Sequence, residues 1–161
     1  LKGHISLACA RFPKGIGGQH LDTLARQFLW HYGYDFDHGT GHGVGCFLNV
    51  HEGPHRIGKG SNNVPLMPGM VVSNEPGYYQ DNEFGIRCEN LIFVKESIKD
   101  DLYEFENLTF VPFDTRLINK SLMTDVEINW LNNYHKEVYQ KISPFVKNDT
   151  LKWLKQATKP F

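Results

Sequence analysis

His38-Gly-Thr-Gly-His42-Gly-Val-Gly45, continued by Val50-His51-Glu52-Gly53-Pro54, is the stretch on which the reading of this chain turns. Between His38 and Pro54 three histidines stand among five glycines. Glycine allows tight turns and close approach of backbone to a ligand, so the segment is suited to presenting imidazoles rather than to filling a core. Two acids further on have equally unusual settings. Glu75 ends the run Met70-Val-Val-Ser-Asn-Glu75, and Glu89 lies within Gly85-Ile-Arg-Cys-Glu-Asn-Leu91. A carboxylate closing an apolar run is costly to bury without a partner, and a cation answers that cost. One histidine and two carboxylates make most of a metal site.

The chain's 161 residues are 40% hydrophobic and 13% aromatic, enough for the core of one domain or a little less. A formal charge of −1 and a pI near 6.8 leave no basic stripe for nucleic acid, and the interspersed lysines and acids speak against a membrane-surface role. No apolar run approaches the roughly 20 residues of a membrane span. Cys9, Cys46 and Cys88 form no CxxC pair, and their odd number argues against a disulfide scaffold, so a reducing, cytoplasmic setting is expected. The chain opens at Leu1 directly on helical pattern and reads as a piece of a longer polypeptide.

Residues 1–10 read as a short helix stopped by Pro13. Leu21, Leu24, Ala25, Phe28 and Leu29 then repeat at the spacing of one buried helical face, which Gly33 ends. From 38 to 69 glycines and prolines leave room only for a short strand over 46–50, so the histidines fall on strand ends and turns. A strand is expected over 70–75, closed by Pro76-Gly77, and a second over 84–94, with Arg87, Glu89 and Leu91 on one face and Ile86, Cys88 and Asn90 on the other. A third is expected over 103–111. Beyond Pro112, Thr124-Asp-Val-Glu127 is a capping box that opens a long helix with Trp130, Leu131, Tyr134, Val138 and Ile142 on one face. A last short helix carries Leu151, Leu154 and Ala157.

His51-Glu-Gly-Pro-His55 matches the H-E-x-x-H pattern of zinc peptidases. A helix there would carry Gly53 and Pro54 in its interior, where proline costs ~3 kcal/mol, so the match is rejected. A lone His42 would read as a hydrogen-bonded turn histidine, and Arg87 with Glu89 suits a plain salt bridge as well as a ligand and its partner.

In this order the segments Leu1-Lys-Gly-His4, Leu21-Asp-Thr-Leu-Ala-Arg26, His38 to Gly45, Phe47 to Pro54, Met70 to Tyr79 and Phe84 to Leu91 resemble the Xaa-Pro aminopeptidase (aminopeptidase P) family of pita-bread metallopeptidases. The tail from Thr124 is similar to the C-terminal extension of its longer, cytosolic members. The resemblance covers nearly the whole chain. It implies an α+β fold: the second half of a pita-bread (creatinase/aminopeptidase) domain over 1–115, helices on a curved, mainly antiparallel sheet, with a helical extension over 116–161. It implies a parent enzyme that hydrolyses the bond preceding proline through a hydroxide held between two divalent ions. His42, Glu75 and Glu89 are implied as metal ligands, with Glu89 bridging. Glu75 is also implied in proton transfer, His38 and His51 as catalytic and substrate-binding histidines, and Arg87 as the group behind the carboxylates. Oxygen-rich, hard donors suit Mn2+ better than a sulfur site would.

The family's two aspartate ligands and a further histidine lie upstream of Leu1-Lys-Gly-His4. Asp114 and Asp125 reproduce the aspartates' spacing but follow the glutamates, and Asp125 belongs to a helix cap, so they are read as structural. The isolated chain is therefore expected to be inactive, with metal bound weakly or not at all, and to self-associate as a homo-oligomer through the surface its missing half would cover. Peptides with proline second are the implied partners. A prolidase and a non-catalytic pita-bread binding module are the alternatives.

Overall fold

The computed structural model describes residues 1–47, 49–98 and 101–161. Two compact units divide it, Leu1–Thr109 and Phe110–Phe161. In the first, the helices α1 (Lys2–Ala8) and α2 (Asp22–Trp30) accompany eight strands: β1 (Arg11–Pro13), β2 (Gly41–His42), β3 (Arg56–Ile57), β4 (Val71–Asn74), β5 (Gly77–Gln80), β6 (Phe84–Arg87), β7 (Asn90–Glu96) and β8 (Leu102–Asn107). A four-stranded antiparallel sheet has the order β1-β8-β7-β4, and β2-β3 and β5-β6 form two antiparallel pairs. Leu7, Phe12, Ala25, Ile57, Leu66, Val72, Ile92 and Val94 make the core. Alternation along β7 turns Asn90, Ile92 and Val94 inward.

Two glycines set how closely the layers approach. A Cβ on Gly3 would lie 2.0 Å from the Ala25 carbonyl oxygen, so α1 meets the α2 backbone only at a residue with no side chain. A Cβ on Gly41 would lie 1.9 Å from the Ser73 carbonyl oxygen, and this contact seats β2 beside β4.

Several expected boundaries move. The first helix ends at Ala8, because Arg11–Pro13 pairs with β8 (Arg11↔Glu104, Pro13↔Leu102) as an edge strand, a place where proline's missing N–H is tolerated. No strand forms on the described residues of 46–50; Leu48 lies outside them. There Gly45 N–H donates to Asn49 O (2.8 Å) and Glu52 N–H to Gly43 O (2.9 Å), so the loop closes on itself. The strand expected over 84–94 is broken into β6 and β7, and Tyr78-Tyr79, read as following a closed strand, forms β5 opposite β6. β8 stops at Asn107, after which the Thr109 hydroxyl accepts the Leu91 N–H (2.8 Å) that a longer strand would have taken.

In the second unit the capping box at Thr124 and Glu127 opens α3 (Asp125–Ile142), and α4 (Asn148–Ala157) follows. Tyr134, Val138 and Leu154 are its core, with Trp130 stacked on Tyr134 (centroids 5.4 Å, planes 2° apart). Asp114 accepts from Arg116 N–H (3.0 Å) and Asp125 opens α3, structural places for both aspartates. No described helix is long and apolar enough to cross a membrane.

The most concentrated polar structure of the first unit is Arg26, 1% exposed. Its Nε donates to Asp22 (2.7 Å), and its terminal nitrogens donate to Asp35 (2.7 Å), Phe36 O (2.6 Å) and His38 O (2.7 Å). The guanidinium also lies 3.8 Å from the Phe36 ring centroid, and Thr40 Oγ1 donates to Asp22 (2.5 Å). Removing one member of a buried ion pair strands the other charge, at about 3–5 kcal/mol. Arg26→Met is expected to lower the unfolding free energy by about that much, measured by urea titration. Arg26→Lys should recover only part of the loss, because an ammonium cannot reproduce the fork.

Candidate metal centre

The elements converge on a cavity of about 330 Å³ lined by His38, His42, His51, Glu75 and Arg87 with Gly39 and Gly41. His42 comes from the end of β2. Its N–H donates to Ser73 Oγ (2.9 Å), and Ser73 Oγ donates to Glu75 Oε1 (2.8 Å). A carbonyl can only accept, so the 3.0 Å contact of His42 Nδ1 with Gly43 O places the proton on Nδ1. In the neutral ring the Nε2 lone pair then stands 3.2 Å from Glu75 Oε1. Two acceptors facing each other call for a cation or a proton between them.

Glu75 is 7% exposed, and its N–H donates to Thr40 O (2.8 Å). Its position against Glu89 follows from strand register. Asn74 pairs with Asn90 on one side and Gly77 with Arg87 on the other, with equal numbers of residues between them on the two strands. Glu75 therefore faces Glu89 across a break in the ladder. The break is due to Pro76, which accepts from Cys88 N–H (3.1 Å) but has no N–H to return. Like charges opposite one another on neighbouring strands repel. Arg87 lies between them, 2.8 Å from Glu75 Oε2 and 3.8 Å from Glu89 Oε2.

Tyr79, to which no role was assigned from sequence, links this cluster to His38. Arg87 Nε donates to the Tyr79 hydroxyl (2.8 Å), which lies 2.9 Å from His38 Nε2, while His38 Nδ1 donates to Gly39 O (2.8 Å). With the Nδ1 proton committed, Tyr79 O–H must be the donor to Nε2. The available signal was alternation: Glu75, Gly77 and Tyr79 share a strand face opposite Gly85, Arg87 and Glu89. Gly77 leaves the space, since a Cβ there would sit 2.5 Å from the Tyr79 oxygen. Ser73 and Arg26 were likewise missed, and both act through groups distant in sequence.

The predicted residues are thus brought together unequally. His42 and Glu75 adjoin, the His51 ring meets His42 edge-on at 4.2 Å, and His38 joins through Tyr79 and Arg87. Glu89, with 44% of its side chain exposed, is paired with Arg87 at 3.8 Å and does not line the cavity. Among the described residues no group of three or more His, Cys, Asp or Glu closes as a metal cage. The donor types fit a hard divalent cation, and the opposed acceptors at His42 and Glu75 are where one fits.

The family description "metallopeptidase family M24" matches residues 1–96, and that of the C-terminal region of peptidase M24 matches 101–161. A probable Xaa-Pro aminopeptidase P of Coprinopsis cinerea is 51% identical, over 99% of this chain and 27% of the relative. Among solved structures, X-prolyl aminopeptidase from Caenorhabditis elegans, described as a cytosolic enzyme with a di-nuclear active site, is 46% identical with a TM-score of 0.93 over 99% of this chain and 27% of its own. Prolidase from Pyrococcus furiosus is 33% identical, with a TM-score of 0.56 over 66% of this chain and 29% of its own. The chain spans about a quarter of the length of the first two, 27% of each.

In the neutral imidazoles, His38 and His42 are expected as Nδ1–H tautomers, read from long-range 1H–15N correlations. Tyr79→Phe should leave both tautomers in place, since the Gly39 and Gly43 carbonyls hold the Nδ1 protons, and move the His38 Nε2 nitrogen resonance downfield as its hydrogen-bond donor is lost, with unfolding free energy altered by only about 1 kcal/mol. An unshifted His38 Nε2 resonance in that variant refutes the Tyr79 link.

Proposed function

We propose, since the chain belongs to metallopeptidase family M24, that it is the second half of the catalytic domain of an Xaa-Pro aminopeptidase. The fold is the α+β pita-bread fold of M24 aminopeptidases. In the reading proposed here, the half-domain covers 1–115 and the helical extension 116–161. The parent removes the first residue of peptides with proline in second place. The observation that carries this is the set of opposed acceptors, Glu75 buried beside His42 and facing Glu89 across Arg87.

His42, Glu75 and Glu89 would hold part of the coordination of two divalent ions, and their hard donors favour Mn2+. Bound there, such ions would supply Lewis acidity toward a water and the scissile carbonyl. Glu75 is the carboxylate that accepts a proton and returns it to the leaving imino nitrogen, and the Ser73 hydroxyl and Arg87 fix its two oxygens for that task. His38 and His51 edge the cavity and hold the substrate, His38 through an orientation set by Gly39 and Tyr79. Arg87 lies between the two glutamates and holds them apart.

In the parent, chelation is expected to abolish turnover of an Xaa-Pro tripeptide and Mn2+ to restore it. Glu75→Gln should lower kcat by about 10²–10⁴-fold, the range of a lost acid–base group. The 161-residue chain alone should be inactive and bind Mn2+ weakly; full turnover by it overturns the half-site reading. Cleavage of dipeptides but not tripeptides would make the parent a prolidase.

The cytoplasmic setting and self-association belong to the same proposal. Tyr32, Phe47, Val50 and Ile98 are 70%, 90%, 63% and 96% exposed, apolar side chains available to a second copy. Light scattering on the 161-residue chain should give a homo-oligomer, and a strict monomer at micromolar concentration refutes this part.

A further inference from the structure

We propose that His55 is a positioning residue for His51: its buried imidazole pins to β4 the exposed loop that carries His51, and so sets where that ring stands beside His42. The inference rests on reading His51 as a substrate-holding histidine and goes beyond it, because His55 does not line the cavity.

Residues 51–54 are exposed and belong to no helix or strand. A histidine on such a loop keeps a fixed direction only if the loop is held close by. His55 is the first buried residue after it, at 8% exposure. Its Nε2 stands 2.7 Å from the carbonyl oxygen of Val71, where β4 begins. A carbonyl only accepts, so Nε2–H is the donor. The same oxygen accepts the Val44 N–H at 3.2 Å with its second lone pair. One carbonyl of β4 therefore ties down both limbs of the loop, the limb that leaves His42 at Val44 and the limb that leaves His51 at His55.

The two limbs are also bonded to each other. Gly43 N–H donates to His55 O (3.1 Å) and Glu52 N–H donates to Gly43 O (2.9 Å), which joins the residue after His42 to the residue after His51. A Cβ on Gly43 would lie 2.0 Å from Glu52 O and 2.9 Å from His55 Cε1 and Nε2, so the Glu52 carbonyl and the His55 imidazole both rest against a residue with no side chain. The outcome is read at the rings, where His51 meets His42 edge-on with centroids 4.2 Å apart. Without the imidazole the loop loses its packing against Gly43 and one of its two ties to Val71, and the limb set loose is the one that bears His51. His42 keeps the bond of its own N–H to Ser73 Oγ. The second histidine of His51-Glu-Gly-Pro-His55 thus has a place that needs no helix.

A buried histidine that only fills space would act on stability alone, and its loss would add to the loss of any other residue. One that acts by holding His51 has nothing left to hold once His51 is gone, so the two losses are not additive. The test is a double-mutant cycle on the full-length parent with Mn2+, reading kcat/KM for an Xaa-Pro tripeptide. His55→Leu, which keeps the bulk and has no donor, is expected to lower kcat/KM about 10-fold or more, since a misplacement of about 1 Å can cost about 10²-fold. In the His51→Ala background the same substitution should change it by less than about twofold. His55→Gln, whose amide nitrogen is as many bonds from Cβ as Nε2, should recover most of the loss. Leu66→Ala, which takes buried carbon from the core and leaves the bonds at Val71 in place, should lower thermal stability with kcat/KM within about twofold of the parent. If His55→Leu does not fold, His55→Met, unbranched and likewise without a donor, takes its place with the same expectations. Unaltered kcat/KM in the folded variant overturns the inference, as does an undiminished loss in the His51→Ala background, an equal loss in Leu66→Ala or no recovery in His55→Gln. Absence of Xaa-Pro turnover by the unaltered parent, or full turnover by His51→Ala, would instead overturn the reading of His51 beneath it.

Discussion

Two carboxylates opposite one another on neighbouring strands are the constraint around which the first unit is organised. The arrangement is unfavourable in itself, since like charges directly across a strand pair repel, and Glu75 is nearly out of solvent at 7% exposure. The chain spends several groups to keep it there. Ser73 donates to one Glu75 oxygen and Arg87 to the other, each at 2.8 Å, and the Thr40 carbonyl takes the Glu75 N–H. None of these relieves the contact of His42 Nε2 with Oε1 at 3.2 Å. What remains after the protein's own partners are counted is a negative, lone-pair-rich opening beside a cavity, and this is the electrostatic form of a cation site.

The loop that brings His38 and His42 to that opening has little regular structure, so its shape must come from elsewhere. Arg26 supplies it. A guanidinium offers donors in a fixed plane, and here that plane collects Asp22, Asp35 and the carbonyls of Phe36 and His38 from inside the core. Lys59 pairs with the outer oxygen of Asp35. The backbone of residues 35–40 is thereby tied at several points to one helix, and β2 continues from it into its close contact with Ser73 at Gly41. Flexible sequence and rigid placement coexist because glycine permits approaches that a buried arginine then fixes.

Much of this was legible in the residues. The capping box of α3 and its aromatic stripe follow from spacing and appear where the spacing puts them, whereas α2 buries Ala25 of its expected face together with Asp22 and Arg26 and leaves Leu24, Phe28 and Leu29 half-buried. The histidine and glutamate segments pointed to a site, and His42 with Glu75 are adjacent. The errors share a cause: local pattern does not show which strand is opposite. Residues 84–89 alternate and run on into the apolar 91–94 with no turn residue between them, so nothing within them reveals the break at 88–89. It is imposed by Pro76 across the ladder. For the same reason Pro76-Gly77 read as an end, although Gly77 is the first rung of a second ladder. Tyr79, Ser73 and Arg26 escaped because each acts on a group that the chain brings near only after folding.

Whether Arg87 and Glu89 are a plain surface ion pair or part of the site was open from sequence, and the magnitudes now bear on it. Their side chains are 41% and 44% exposed and 3.8 Å apart, a pair of the kind that contributes about 0–1 kcal/mol. Stability gives little reason for such a contact beside a repelling carboxylate. The stronger bond of Arg87 goes to buried Glu75, and its Nε goes to Tyr79 and thence to His38. The guanidinium thus spaces two acids while orienting an imidazole on the same cavity. A surface salt bridge needs neither function, whereas a site that must keep two acids separated beside an oriented imidazole needs both. The exposure of Glu89 fits the same logic, because its carboxylate is left open beyond its own strand.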